Sequence, residues 1–232
     1  MNTTIVKLAL QALLGRRRFW LLLVFPVLLL GLTALLTALT SSDEAWAVLL
    51  SLGYPVVLPL VVILATSSVL GPEVDDGSIV YLLSKPVSRH AVALSKWVVA
   101  WSATILAGVL PLWVAGQIAG GGPRAAALGL AALLVGTTYA ALFLAVSALT
   151  RHAVVASLLF VLIWEGLLGS LLSGVAWLSP GQWGLRVGYE ISAELPDPTN
   201  LPWAILATLV VTLGGIWFVG DRLRSFSLRG ED

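Results

Sequence analysis

Six long apolar stretches, at about 19–39, 46–70, 97–119, 125–150, 153–178 and 203–219, constrain this chain more than any other feature. A bilayer core about 30 Å thick takes about 20 apolar residues per helix. With no water in that core, each backbone polar group must bond within its own segment or a closed barrel. Runs of this length therefore predict helices. Charged residues make up 11% of the chain, against about 25% in soluble domains. The expectation is an all-α membrane protein: a single transmembrane domain over 1–232 with six transmembrane helices.

Lys and Arg set the expected orientation. With the N-terminus inside, the inner segments hold Lys7, Arg16, Arg17, Arg18, Lys85, Arg89, Lys96, Arg151, Arg222, Arg224 and Arg229. The outer loops hold Arg124 and Arg186. Eleven against two is a positive-inside bias, so both termini and residues 72–89 are expected in the cytoplasm. Three Arg precede the first apolar run, as in a signal peptide. That run is too long for an h-region and five more follow, so it reads as a retained helix. Trp20, Trp46, Trp97, Trp101, Trp177 and Trp203 lie near span ends, where an interfacial aromatic belt belongs. Trp113 and Trp164 lie deeper and read as packed between helices.

Pro26, Pro55, Pro59 and Pro111 fall within spans, each removing a backbone hydrogen bond. The Pro55–Pro59 pair marks the second span as the one to bend, either as a flexing element or as static curvature. Gly166, Ser170 and Gly174 recur every four residues in the fifth span, a small-residue face for close helix approach. Residues 3–18 read as an interfacial amphipathic helix with Ile5, Leu8, Ala12 and Leu13 on one face, or as an extension of the first span. The outer loop 179–202 mixes aromatic and acidic residues. It reads either as a partly ordered surface element with a short helix or as a passive connector.

Between the second and third spans lies a charged insert, 72–89. Pro72 suits the first turn of a helix, and Glu73, Asp75 and Asp76 suit the positive end of its dipole. Ile79, Leu82 and Leu83 form an apolar face at helical spacing. Pro86 stops the helix, and Ser88 suits the cap of the next. The expected product is a stubby helix with one adhesive face, or else a solvated loop helix without a partner.

One intramembrane charge stands out. Glu165 lies near the middle of the fifth span, where an ionised group costs roughly 2.5–3.5 kcal/mol on insertion scales. It reads as a contact on a translocation path or as a hydrogen-bonded assembly group. Gln117 and Thr138 add polarity to the third and fourth spans and are further path candidates. There are no Cys residues, and His90 and His152 are not in metal-site spacing. No catalytic residue, metal site or nucleic-acid partner is expected.

The pattern Glu73-x-x-x-Gly77-Ser78-Ile79-x-x-Leu82-Leu83-Ser84-x-Pro86-Val87-Ser88-Arg89, with Lys96 opening the third span, resembles the permease subunits of type-2 ABC exporters. That group includes bacterial antibiotic-export permeases and the permease serving nitrous-oxide reductase maturation. The Trp164-Glu165-Gly166 step and the six-span layout extend the likeness. The resemblance implies that 72–89 is a cytoplasmic coupling helix docking on an ATPase subunit, through Glu73, Gly77, Ile79, Leu82, Leu83, Pro86 and Arg89. It implies a multi-pass protein of the bacterial plasma membrane and a second permease copy, as homodimer or heterodimer. The chain has no phosphate-binding Gly-x-x-x-x-Gly-Lys-Ser/Thr loop. ATP and Mg would be held by the partner, and this chain would carry no cofactor. Sparse buried charge favours an amphipathic or hydrophobic cargo such as a drug, antibiotic, lipid or peptide. The rival reading is an ATP-independent secondary transporter or channel using Glu165.

Overall fold

The computed structural model describes residues 16–75, 88–169 and 172–227. Its described elements are helical. Helix α1 is Arg16–Leu39. Helix α2 runs through Ser42–Val48, Leu49–Val57 and Leu58–Asp75, the middle part having the wider π-helical turn. Helix α3 is Arg89–Ile118, with a π turn at Ile105–Val109. Helix α4 is Gly122–Leu149. Helix α5 is Ala153–Leu168, π-helical over Phe160–Leu168. A 3-10 segment, Ser173–Leu178, leads to the short helix α6, Pro180–Tyr189, and then to α7, Leu201–Ser227.

Five of these helices have stretches long and apolar enough to cross a membrane, and α5 is a shorter apolar helix. At 1.5 Å per residue α5 spans about 24 Å, less than a bilayer core of about 30 Å. The fifth span was expected to run as one helix to residue 178. Instead Leu172 lies outside any helix, and residues 173–178 wind as a 3-10 turn. Gly174 therefore lies off the α5 helix, and the expected Gly166–Ser170–Gly174 face does not extend along one helix; Ser170 itself lies outside the described residues.

Helix α4 is the centre of the bundle. Its span is 61% buried, against 22% for α1. It packs against α2, α3, α6 and α7, and its buried face is Ala-rich (Ala127, Ala131, Ala132, Ala140, Ala141), which lets those neighbours come close. The tight α3–α4 turn passes through Gly120, Gly121 and Gly122, all at positive φ, a region that glycine enters without a Cβ penalty.

Helix ends fall at two faces. One, the α6 face, carries residues 40–42, 119–122 and α6. The other carries the ends of α2 and α3 that flank residues 76–87, the 150–152 turn and the end of α7. This second, basic face has Arg89, Lys96, Arg151, Arg222 and Arg224 on its helix ends. Pro72 was expected in the first turn of a separate helix. It lies instead in the closing turns of α2, which continues unbroken to Asp75. Ser88 does cap α3, its hydroxyl accepting from Ala91 N–H at 3.3 Å.

Candidate functional site

The three π-helical stretches are not scattered. Two of them, in α2 and α5, face each other across a cavity of about 440 Å³ near the α6 face. A π turn leaves the regular i→i−4 bond ladder and often marks a functional segment. In α2 the turn contains Pro55, whose missing N–H breaks that ladder. Pro111 likewise lies two residues beyond the π turn of α3. Pro26, by contrast, sits within the unbroken helix α1.

From α2 the cavity takes Leu50, Tyr54 and Pro55. From α5 it takes Val161, Leu162 and Glu165. Val135 and Tyr139 of α4 form its floor, and Gly181, Gln182 and Leu185 of α6 close the end. Ser51, Pro55, Val56 and Leu162 are solvent-exposed, so the cavity opens sideways between α2 and α5.

Glu165 is the chemical centre. Its carboxyl accepts from the Ser179 hydroxyl and from Gly181 N–H at 3.4 Å. It also interacts with the Tyr139 hydroxyl. Ser179 is the N-cap of α6, accepting from Gln182 N–H at 3.3 Å. The carboxyl therefore sits at the N-terminal end of α6, where the helix dipole favours negative charge. Tyr54 completes the link by donating to the Gly181 carbonyl at 2.7 Å. One small network thus joins α2, α4, α5 and α6.

Helix α6 is held down on every side. Gly184 and Gly188 lie against α4 so closely that added Cβ atoms would stand 2.7 Å from the Ala131 carbonyl oxygen and 2.8 Å from that of Ala127. Trp183 is buried against Ala204 and Ala207 of α7. Its indole N–H donates to the Trp177 carbonyl at 3.0 Å, and the Trp203 indole donates to the same oxygen at 2.6 Å. The Trp164 indole donates to the Leu178 carbonyl at 3.2 Å. These indoles serve the 3-10 segment whose carbonyls a regular helix would have satisfied.

Both arginines of this face are paired with carboxylates. Arg124 bridges Asp43 at 2.8 Å and also Glu194. Arg186 bridges Glu190 at 2.8 Å and Asp197 at 2.9 Å. Residues 179–200 are therefore an ordered cap with a helix of its own, not a passive connector.

The other predicted residues are placed as follows. Thr138 is buried in α4 and donates to the Leu134 carbonyl at 3.1 Å, outside the cavity lining. Gln117 is exposed near the α6 face and is not brought to Glu165. Thr137 accepts from the Trp101 indole at 2.9 Å, joining α3 to α4. Glu73 belongs to the last turns of α2, and Arg89 opens α3. Gly77, Ile79, Leu82, Leu83 and Pro86 lie outside the described residues, as does the predicted interfacial helix up to residue 15.

Sequence reasoning missed two features. Lys96 was expected simply to mark the interface. It is 1% exposed, and its ammonium donates to the Val69 carbonyl of α2 at 2.8 Å. Nothing local distinguishes a buried Lys near a span end from one reaching to the interface. The second feature is the Gly184–Gly188 pair, whose four-residue spacing was readable but lay in a stretch read as loop.

A comparison with curated proteins finds no match. The family model for ABC-2 family transporter proteins matches residues 14–177. That match covers most of the chain, and it takes in α1 to α5 and the α2–α3 junction. Together with the all-helical, multi-span architecture, it shows that this chain belongs to the ABC-2 family of transporter proteins, as a permease.

Proposed function

We propose that this permease is the membrane half of an ATP-driven exporter, working with a separate ABC ATPase subunit that docks at residues 72–89. The observation that carries the reading is the family match across the α2–α3 junction. The geometry of that junction supports it. Helices α2 and α3 end together on the basic face, joined by the Lys96–Val69 bond, and the docking segment is strung between them. Force applied to 72–89 would act on both helices at once.

Charge distribution supports a cytoplasmic basic face. Arg124 and Arg186, the exceptions to the positive-inside count, are both paired with carboxylates on the α6 face. Their positive charge is offset locally, which sharpens the asymmetry. Ile79, Leu82 and Leu83 would supply apolar contact to the ATPase. Glu73 and Arg89 would set register, Gly77 would allow close approach, and Pro86 would end the segment. ATP and Mg would be bound by that subunit. A second permease, identical or a sister chain, would complete the transmembrane pair in a bacterial plasma membrane. The cargo would be amphipathic or hydrophobic, suited to a cavity with apolar walls and one polar end.

The absence of Cys makes a direct test simple. Ser84→Cys and Ser192→Cys are made singly and treated on intact cells with a membrane-impermeant maleimide. Ser192→Cys should label at once, and Ser84→Cys only after permeabilisation. A thiol-to-amine cross-linker on Ser84→Cys should then capture a subunit carrying a phosphate-binding loop. Labelling of Ser84→Cys from outside would overturn the orientation, and failure to capture such a subunit would overturn the docking site.

A further inference from the structure

We propose that the α2–α5 cavity is a binding site for an amphiphile with an apolar body and a protonated amine head, the head seated at Glu165. The cavity volume of about 440 Å³ falls within the range of roughly 300–1,000 Å³ seen for ligand pockets. Apart from Ser51 at the opening, its polar and apolar groups are segregated. Leu50, Pro55, Val161 and Leu162 form the walls, while Glu165, Tyr54, Tyr139 and Gln182 gather at the α6 end. A ligand matching this pattern has one polar end.

Charge then selects the head. The acidic residues Asp43, Glu190, Glu194 and Asp197 on the same face are each paired with Arg124 or Arg186. Among the described residues Glu165 meets neutral partners: Ser179, Gly181 N–H and Tyr139. A carboxylate offers about four lone-pair sites, so acceptor capacity remains after these contacts. A cationic N–H donor both uses that capacity and neutralises the charge, and charge-assisted bonds of this kind are roughly twice as strong as neutral ones. An anionic head would meet a carboxylate with no neighbouring cation in the lining.

The entrance fits the same ligand. It lies between the exposed residues Val56 and Leu162 on the side of the bundle, so a molecule dissolved in the acyl-chain region enters without crossing either face. The π turns on both sides of the entrance depart from the regular i→i−4 bonding of an α-helix.

This inference names a cargo class for the exporter reading, yet its test needs no ATPase, so the two stand or fall separately. The chain is placed in nanodiscs of zwitterionic lipid and titrated with radiolabelled dodecylamine. Dodecanol and dodecanoate serve as competitors. Saturable binding of one amine per chain is expected above the lipid background, with weak competition by the alcohol and the acid. Glu165→Gln, which keeps one acceptor oxygen in place of the two that meet Ser179 and Gly181, should weaken binding at least tenfold. Leu162→Trp, at the exposed entrance, should abolish the saturable component while leaving the Glu165 contacts in place. The proposal is overturned if dodecanol competes as well as the amine. Unchanged affinity in Glu165→Gln, or no saturable component, overturns it equally.

Discussion

Lys96 of α3 reaches across to the Val69 carbonyl of α2 at 2.8 Å, and in doing so buries its whole side chain. Val69 and Lys96 lie on either side of the proposed docking segment. The bond therefore fixes the two strands of chain that would carry force from an ATPase into the bundle. Lys96→Met keeps the volume but loses the donor. Burying an ammonium is costly, and Met removes that cost. A hydrogen bond to a charged group contributes about 1.5–3 kcal/mol, a tenfold effect or more. ATP turnover by the purified complex should fall by about that factor while the ATPase stays bound. Unchanged turnover would show that the Lys96 contact plays no part in coupling.

The close contact of α6 with α4 gives a second expectation. A Cβ at Gly184 would overlap the Tyr54 hydroxyl and press on the Ala131 carbonyl. Overpacking of this kind costs about 1–3 kcal/mol, so Gly184→Ala should lower the thermal midpoint in detergent. Gly174→Ala serves as the control, because no atom of the described residues lies within 4 Å of its added carbon. Equal midpoints for the two variants would contradict the packing account.

These two glycines also show what could be read from the residues and what could not. Four-residue spacing of small residues is visible at Gly166, Ser170 and Gly174 and again at Gly184 and Gly188. Spacing says that a helix can be approached, but not whether the stretch is a helix or what approaches it. The first trio is split by the end of the α5 helix, while the second pair meets the Ala-rich face of α4. The apolar runs, by contrast, were legible because bilayer thickness imposes a length on them. Glu165 was legible as an oddity for the same reason. Its partners Ser179, Gly181 and Tyr139 were not, since the first two follow the 3-10 segment and the third lies on a different helix.

Ser179 carries two bonds at once, to Gln182 N–H and to the Glu165 carboxyl. Loss of an N-cap hydroxyl costs about 0.5–2 kcal/mol. Ser179→Ala should therefore speed amide exchange across 180–189 while leaving α1 and α3 unchanged. Exchange that rises uniformly along the chain would instead mean general loss of stability.

The ion pairs of the α6 face differ in exposure. The Arg186 side chain is 13% exposed and that of Arg124 29%. Salt screens exposed pairs more than sheltered ones. Arg186→Gln should lower the thermal midpoint more than Arg124→Gln, and high salt should narrow the gap between wild type and Arg124→Gln first. A reversed order would mean that the Arg124 bridge, which ties 43, 124 and 194 together, is the stronger clasp.

The central claim is that residues 72–89 dock an ATPase. The most direct measurement is the composition of the complex purified in mild detergent, with and without Leu82→Asp and Leu83→Asp. The account predicts a stoichiometric subunit bearing a Gly-Lys-Ser/Thr phosphate loop, present with the wild-type chain and lost from the double variant. A chain that purifies alone and still transports in liposomes without ATP would contradict it and establish a secondary transporter instead.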